Sequence, residues 1–134
     1  PETPLLGANP LEKARVEGYQ RKMEFDGMIA ISEAFRNDAA NERFSFRSLP
    51  GRDGTPAIEG LVERGQNTLD NFYIWLENYL TENEFVAGPN FSMADITAFV
   101  AVDFSKWVKR RIPKENNKTL EWYKKISSRA SAKA

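Results

Sequence analysis

Apolar residues recur at helical spacing in four stretches of the chain. In the first, over 11–36, Val16, Tyr19, Met23, Ala30 and Ala34 follow at intervals of three, four or seven, and Phe25, Met28, Ile29 and Ile31 widen the stripe. Asn9 is placed to cap this helix, with Pro10 at its first position, where a missing amide proton costs nothing. Gly18 and Gly27 lie inside it, and each weakens a helix by about 1 kcal/mol relative to alanine. The second stripe, Ile58, Leu61, Val62, Leu69, Phe72, Trp75, Leu76 and Tyr79, predicts a helix capped by Thr55, opened by Pro56 and running to Leu80. Between the two, residues 37–55 carry Pro-Gly and Asp-Gly turn signals and read as loop.

The third helix has the strongest start signal. Ser92 is a favoured N-cap, Asp95 three residues on can reach back to its amide, and Phe91 and Ile96 have the spacing of a hydrophobic staple. Behind this start, Ile96, Phe99, Val100, Phe104 and Trp107 predict a helix buried in the middle of a bundle and reaching Arg111. Asp103 interrupts that apolar face and needs a partner, so a structural acceptor role is expected for it. A last helix is predicted over 119–129, with Leu120, Tyr123 and Ile126 facing in. No stretch alternates convincingly as a strand. The expected fold is therefore an all-α helical bundle, one domain of 134 residues.

Composition narrows the chemistry. Nineteen basic and 19 acidic residues balance, which argues against nucleic acid as a partner, since phosphate binding wants a basic field. No apolar run is long enough to span a bilayer, so no membrane partner is expected. With no histidine and no cysteine, zinc sites built on those residues and Ser-His or Cys-His pairs are excluded; no metal site is expected. The basic end of the third helix (Lys106, Lys109, Arg110, Arg111) complements the helix dipole and needs no ligand.

The run Phe85-Val-Ala-Gly-Pro-Asn-Phe-Ser-Met-Ala-Asp-Ile-Thr97 resembles the motif that opens the central helix in the C-terminal domain of cytosolic glutathione transferases. Leu5-Leu6-Gly7 resembles the end of that family's interdomain linker, and the Arg-Ala-Ser-Ala-Lys ending is similar to its bacterial members. The resemblance covers essentially the whole chain, and it implies a linker remnant over 1–10 and the helical domain over 11–134. It further implies a soluble cytoplasmic homodimer using glutathione as co-substrate, with the thiol-activating residue in an upstream thioredoxin-like domain. This domain alone would then hold no cofactor and no catalytic residue, and would be inactive. Its expected role is to bind a small apolar electrophile through Glu24, Gly27, Met28, Ile31 and Trp107, while Gln20 reaches glutathione in the neighbouring subunit. Met28 offers a polarizable surface suited to varied ligands. The plain alternative for each residue is ordinary packing or solvated surface. The alternative for the domain is a non-catalytic protein-interaction module of the same fold. Arg43 or Arg47 in the 37–55 loop would reach an anionic ligand only if that loop formed a flap, and a surface loop is the favoured reading.

Overall fold

The Asn9 side chain opens the first helix as its position predicts, its Oδ1 accepting the Glu12 amide at 3.0 Å ahead of Pro10. In the computed structural model, which describes residues 4–44 and 56–132 without the side chains of 42–44, this helix is a rod in three parts. They are α1 (Pro10–Lys22), a seven-residue π-helical stretch (Met23–Ile29) and α2 (Ala30–Asn37). A 3₁₀ segment, Ala39–Phe44, follows, kinked at Asn41. The side chains of Arg43 and Arg47, and Thr55, lie outside the described residues.

The second long helix, α3, spans Glu59–Glu82 and so starts three residues later than the Pro56 signal predicts. Its N-cap is Ile58, whose side chain makes no cap. The Ile58 amide is instead bonded to Asn37 Oδ1 at 2.9 Å, so a tertiary contact with the end of α2 sets the helix start. Gly65 governs how α2 and α3 meet. A Cβ there would sit 2.4 Å from the Ala30 carbonyl oxygen, closer than real atoms approach. The absent side chain is what lets the two helices touch.

Helix α4 (Met93–Ser105) continues as a 3₁₀ turn to Val108 and stops well before Arg111. Lys109 adopts a left-handed conformation (φ 60°), and the Arg110 amide folds back onto the Ser105 carbonyl at 3.0 Å. The helix is central, packing on α1, on the π-helical stretch and on α5 (Asn117–Ser127). Its buried face differs from the predicted one. Ala94, Ala98, Ala101, Val102 and Ser105 point inward, while Phe104 and Trp107 are 47% and 63% exposed. Close neighbours on several sides leave room only for small side chains, so the aromatic residues are displaced to the rim.

On α5 the inward face is Thr119, Trp122 and Ile126, at spacings of three and four. Leu120, one residue out of phase, is 39% exposed and does not face in. Tyr123 stacks on Phe99 (centroids 5.0 Å apart) and donates to Asp103 Oδ1 at 2.8 Å, which gives Asp103 the structural partner expected. Two core clusters result. The larger gathers Met23, Phe72, Tyr73, Leu76, Val86 and Trp122, and the smaller gathers Ala30, Ile31, Ala34, Leu69, Ala101 and Val108. Each large side chain so buried contributes about 1.5–3 kcal/mol. Among the described residues there is no strand, only an isolated bridge between Phe85 and Gly88. The all-helical bundle is the observed architecture.

Candidate functional site

Two regions carry unusual polar chemistry. The first is the start of α4. The capping box closes there: Asp95 Oδ2 accepts the Ser92 amide at 3.0 Å and the Ser92 hydroxyl at 3.1 Å. Its other oxygen, Oδ1, accepts the Val86 amide at 2.9 Å and the indole N–H of Trp122 at 3.0 Å. Asp95 is fully buried, and burial pushes its carboxyl above the ordinary aspartate range against the pull of these four bonds. The carboxylate thus ties the 85–88 turn, the start of α4 and the middle of α5 together. Phe91 completes the region, edge-on to Phe85 at 6.0 Å and beneath the Arg129 guanidinium at 3.7 Å. Every acceptor of the carboxylate is used, so Asp95 is a structural latch.

The second region is the flank of the first helical rod, where the sequence places its binding residues. Gln20 and Glu24 are half-buried, and the Gln20 side-chain amide donates to Glu24 Oε1 at 2.9 Å. Arg21 holds the same carboxylate, with N–O distances of 2.9 Å to Oε1 and 2.7 Å to Oε2. Gln20 Oε1 is buried and has no partner among the described residues. A buried acceptor of this kind costs free energy until a donor meets it. Met28 is half-buried against the smaller core cluster. Trp107 lies edge-on to Phe35, centroids 6.4 Å apart, with most of its indole in solvent.

Gly27 and Ile31 fall elsewhere. Gly27 is buried, and a Cβ there would come within 2.9 Å of the Ala101 methyl, so its role is to bring the rod against α4. Ile31 is buried in the smaller core cluster. Both are packing residues in this domain rather than part of an open face. Of the sequence-selected set, Gln20, Glu24, Met28 and Trp107 remain accessible. Hollows of about 150 and 250 Å³ indent the surface elsewhere, and none of the selected residues lines either. We refer to the accessible part of the flank as a wall. Its groups can orient and desolvate a ligand; they include no nucleophile paired with a base. Among the described residues no cluster of three carboxylates offers a metal site.

Residues 61–134, more than half of the chain, match the family described as "Glutathione S-transferase, C-terminal domain". The chain belongs to the glutathione S-transferase C-terminal domain family. Glutathione S-transferase 2 of Saccharomyces cerevisiae is 30% identical over 136 residues, covering 96% of this chain and 52% of that protein. The solved structure of Gtt2 from the same yeast superposes with a TM-score of 0.81 at 25% identity, covering 96% of this chain and 59% of that one. A Gtt2-class glutathione S-transferase of Vibrio parahaemolyticus superposes at 0.76 with 27% identity, covering 95% and 55%. The chain spans about half the length of the relatives it matches.

Three features of this glutathione S-transferase domain escaped the sequence reading. Trp122 is the partner of Asp95, and a signal for it existed: a buried carboxylate has acceptor capacity beyond its cap, and an indole N–H is a donor seeking one. Glu77 is another. From α3 it accepts the amides of Lys118 (3.0 Å) and Thr119 (2.8 Å) and the Thr119 hydroxyl (2.8 Å), capping α5 from outside. The third is the π-helical stretch, which no periodicity announces and at which only Gly27 hinted.

Proposed function

We propose that this domain is the electrophile-binding half of a glutathione transferase that conjugates glutathione to small apolar electrophiles. The observation that carries this reading is the set of accessible groups along the rod, Gln20 with a buried acceptor that lacks a donor, Met28, and Trp107 against Phe35, on a domain spanning about half of its relatives. Such a wall becomes a concave, mostly apolar site only when a second surface faces it. In this reading an upstream thioredoxin-like domain, joined through residues 1–10, supplies that surface and the group that activates the glutathione thiol. Met28 and Trp107 line the electrophile side. Glu24 holds Gln20 in place, and Gln20 Oε1 takes an N–H of glutathione bound in the neighbouring subunit of a cytosolic homodimer. π-Helical turns recur at functional sites, and the stretch Met23–Ile29 brackets Glu24 and Met28.

The test is steady-state kinetics of the full-length protein with glutathione and a halodinitrobenzene. Conjugation is expected, with Trp107→Ala raising KM for the electrophile and Gln20→Ala raising KM for glutathione. The isolated domain is expected to be inactive. Absence of conjugation and of peroxide reduction in the full-length protein overturns this reading in favour of a docking module.

A further inference from the structure

The hollow of about 150 Å³ lies between the chain entering α1 and the turn ahead of α4. Its lining is divided in character. Val16, Ala87, Pro89 and Phe91 give it an apolar side, and Glu12 and Arg15 bring one acid and one base. The acid and the base do not pair with each other: Arg15 makes no ion pair or hydrogen bond among the described residues. Glu12 Oε2 accepts the Ala8 amide at 2.8 Å, which fixes the carboxylate and leaves Oε1 over.

The backbone keeps this space open. Among the described residues two glycines have positive φ, Gly7 (93°), which lines the hollow, and Gly88 (120°), which lies against the Arg15 guanidinium. A Cβ on Gly88 would come within 3.3 Å of Arg15 Nη1, and one on Gly7 would strike the Lys13 nitrogen at 2.6 Å. A side chain at either place would crowd the wall or displace the guanidinium. The volume is that of a cavity able to take benzene, about 150 Å³, and so of a branched four-carbon side chain.

We propose that this hollow binds a small aliphatic α-amino acid, its carboxylate on Arg15, its ammonium on Glu12 and its side chain against Val16, Ala87, Pro89 and Phe91. The guanidinium fork matches a carboxylate in two parallel bonds. A free carboxylic acid without an ammonium leaves Glu12 unmatched, and an amine without a carboxylate leaves Arg15 unmatched. The assignment is independent of the electrophile wall, with which the hollow shares no residue.

The test is calorimetric and NMR titration of the full-length chain with L-leucine, isocaproate and isoamylamine, in the wild type and in Arg15→Met and Glu12→Gln. Saturable leucine binding is expected, weakened at least about tenfold by Arg15→Met and by loss of the ammonium in isocaproate. Glu12→Gln keeps an acceptor for the Ala8 amide and is expected to weaken leucine while leaving isocaproate unchanged. No saturable leucine binding, equal affinity in Arg15→Met, or isocaproate binding as tightly as leucine overturns the proposal. Amide spectra of each variant that superpose outside the hollow establish that the fold is retained.

Discussion

Around Asp95 both carboxylate oxygens are used twice; along the flank of Gln20 and Glu24 one buried oxygen is left over. The two regions draw on similar residues, a carboxylate and an amide or hydroxyl near a helical turn, with aromatic side chains alongside. In the first, donors arrive from the 85–88 turn, from the helix start and from α5, so the network closes within the domain. In the second, the donors come only from the rod itself, and Trp107, against Phe35 further along the rod, faces solvent. A closed polar network specifies a fold. An open one keeps interaction capacity in reserve for a group from outside. Removing residues from the first should therefore cost stability, and from the second, binding.

The largest effect is expected at the latch. Asp95→Ala would strand the Val86 and Ser92 amides and the Trp122 indole N–H, all buried, and a cost of about 3–5 kcal/mol is expected, on the scale of a broken buried charged network. Urea unfolding followed by Trp fluorescence measures it. Asp95→Asn should recover little, because its NH₂ group would face donors where the carboxylate faces them now. A loss under 1 kcal/mol for Asp95→Ala would put the latch in the same class as the flank.

Next comes the contact between the rod and the middle of α4. Gly27→Ala places a methyl 2.9 Å from that of Ala101, and overpacking of this kind costs about 1–3 kcal/mol. Ala101→Gly should return part of that stability in the double variant, and a double-mutant cycle reads the coupling. If Gly27→Ala is neutral and instead blocks electrophile binding, Gly27 belongs to the wall after all.

Acid and base titration separate the latch from the α3 carboxylate that caps α5. Burial acts to raise the Glu77 carboxyl, but the bonds from Thr119 and Lys118 outweigh it and hold the group below the ordinary glutamate range. Its stabilising contribution is present above that range and is lost as pH falls through the depressed value. Asp95 has the opposite sign. Its carboxyl is raised, so its contribution is complete below the ordinary aspartate range and lost as pH rises through the raised value. Unfolding free energy measured across the acid range should therefore lose part of its acid slope in Glu77→Gln.

The difference between the regions also explains what could be read in the sequence. The start of α4 was legible because its signals are local: Ser92, Asp95 and the residues between lie on one turn. The helical bundle was legible because periodicity reports a face. The phase of α4 was not, because large apolar residues such as Phe104 and Trp107 outrank Ala94, Ala98 and Ala101 in hydrophobicity, and a helix enclosed by close neighbours reverses that ranking. The α3 start was not legible either, since Asn37, 21 residues away, decides it. Of the residues expected to bind, Gly27 and Ile31 share the helical spacing of Gln20, Glu24 and Met28. Spacing alone does not say which side of a rod another helix covers.

The smallest stability effect is expected at Trp107, and it is the most discriminating for the flank. The indole is 63% exposed and touches the fold through Phe35. Its replacement by alanine should change unfolding free energy by no more than about 0.5 kcal/mol, the usual range for a surface site without special contacts. An edge-on aromatic pair is worth about 0.5–1.5 kcal/mol when enclosed, so a larger loss would mean that Trp107 closes the core over Phe35. A small loss together with a raised KM for the electrophile is the signature of a side chain held out for a ligand. A small loss with no kinetic effect would leave the indole an ordinary exposed residue. The wall would then rest on Met28 and on Gln20, with its one uncommitted oxygen.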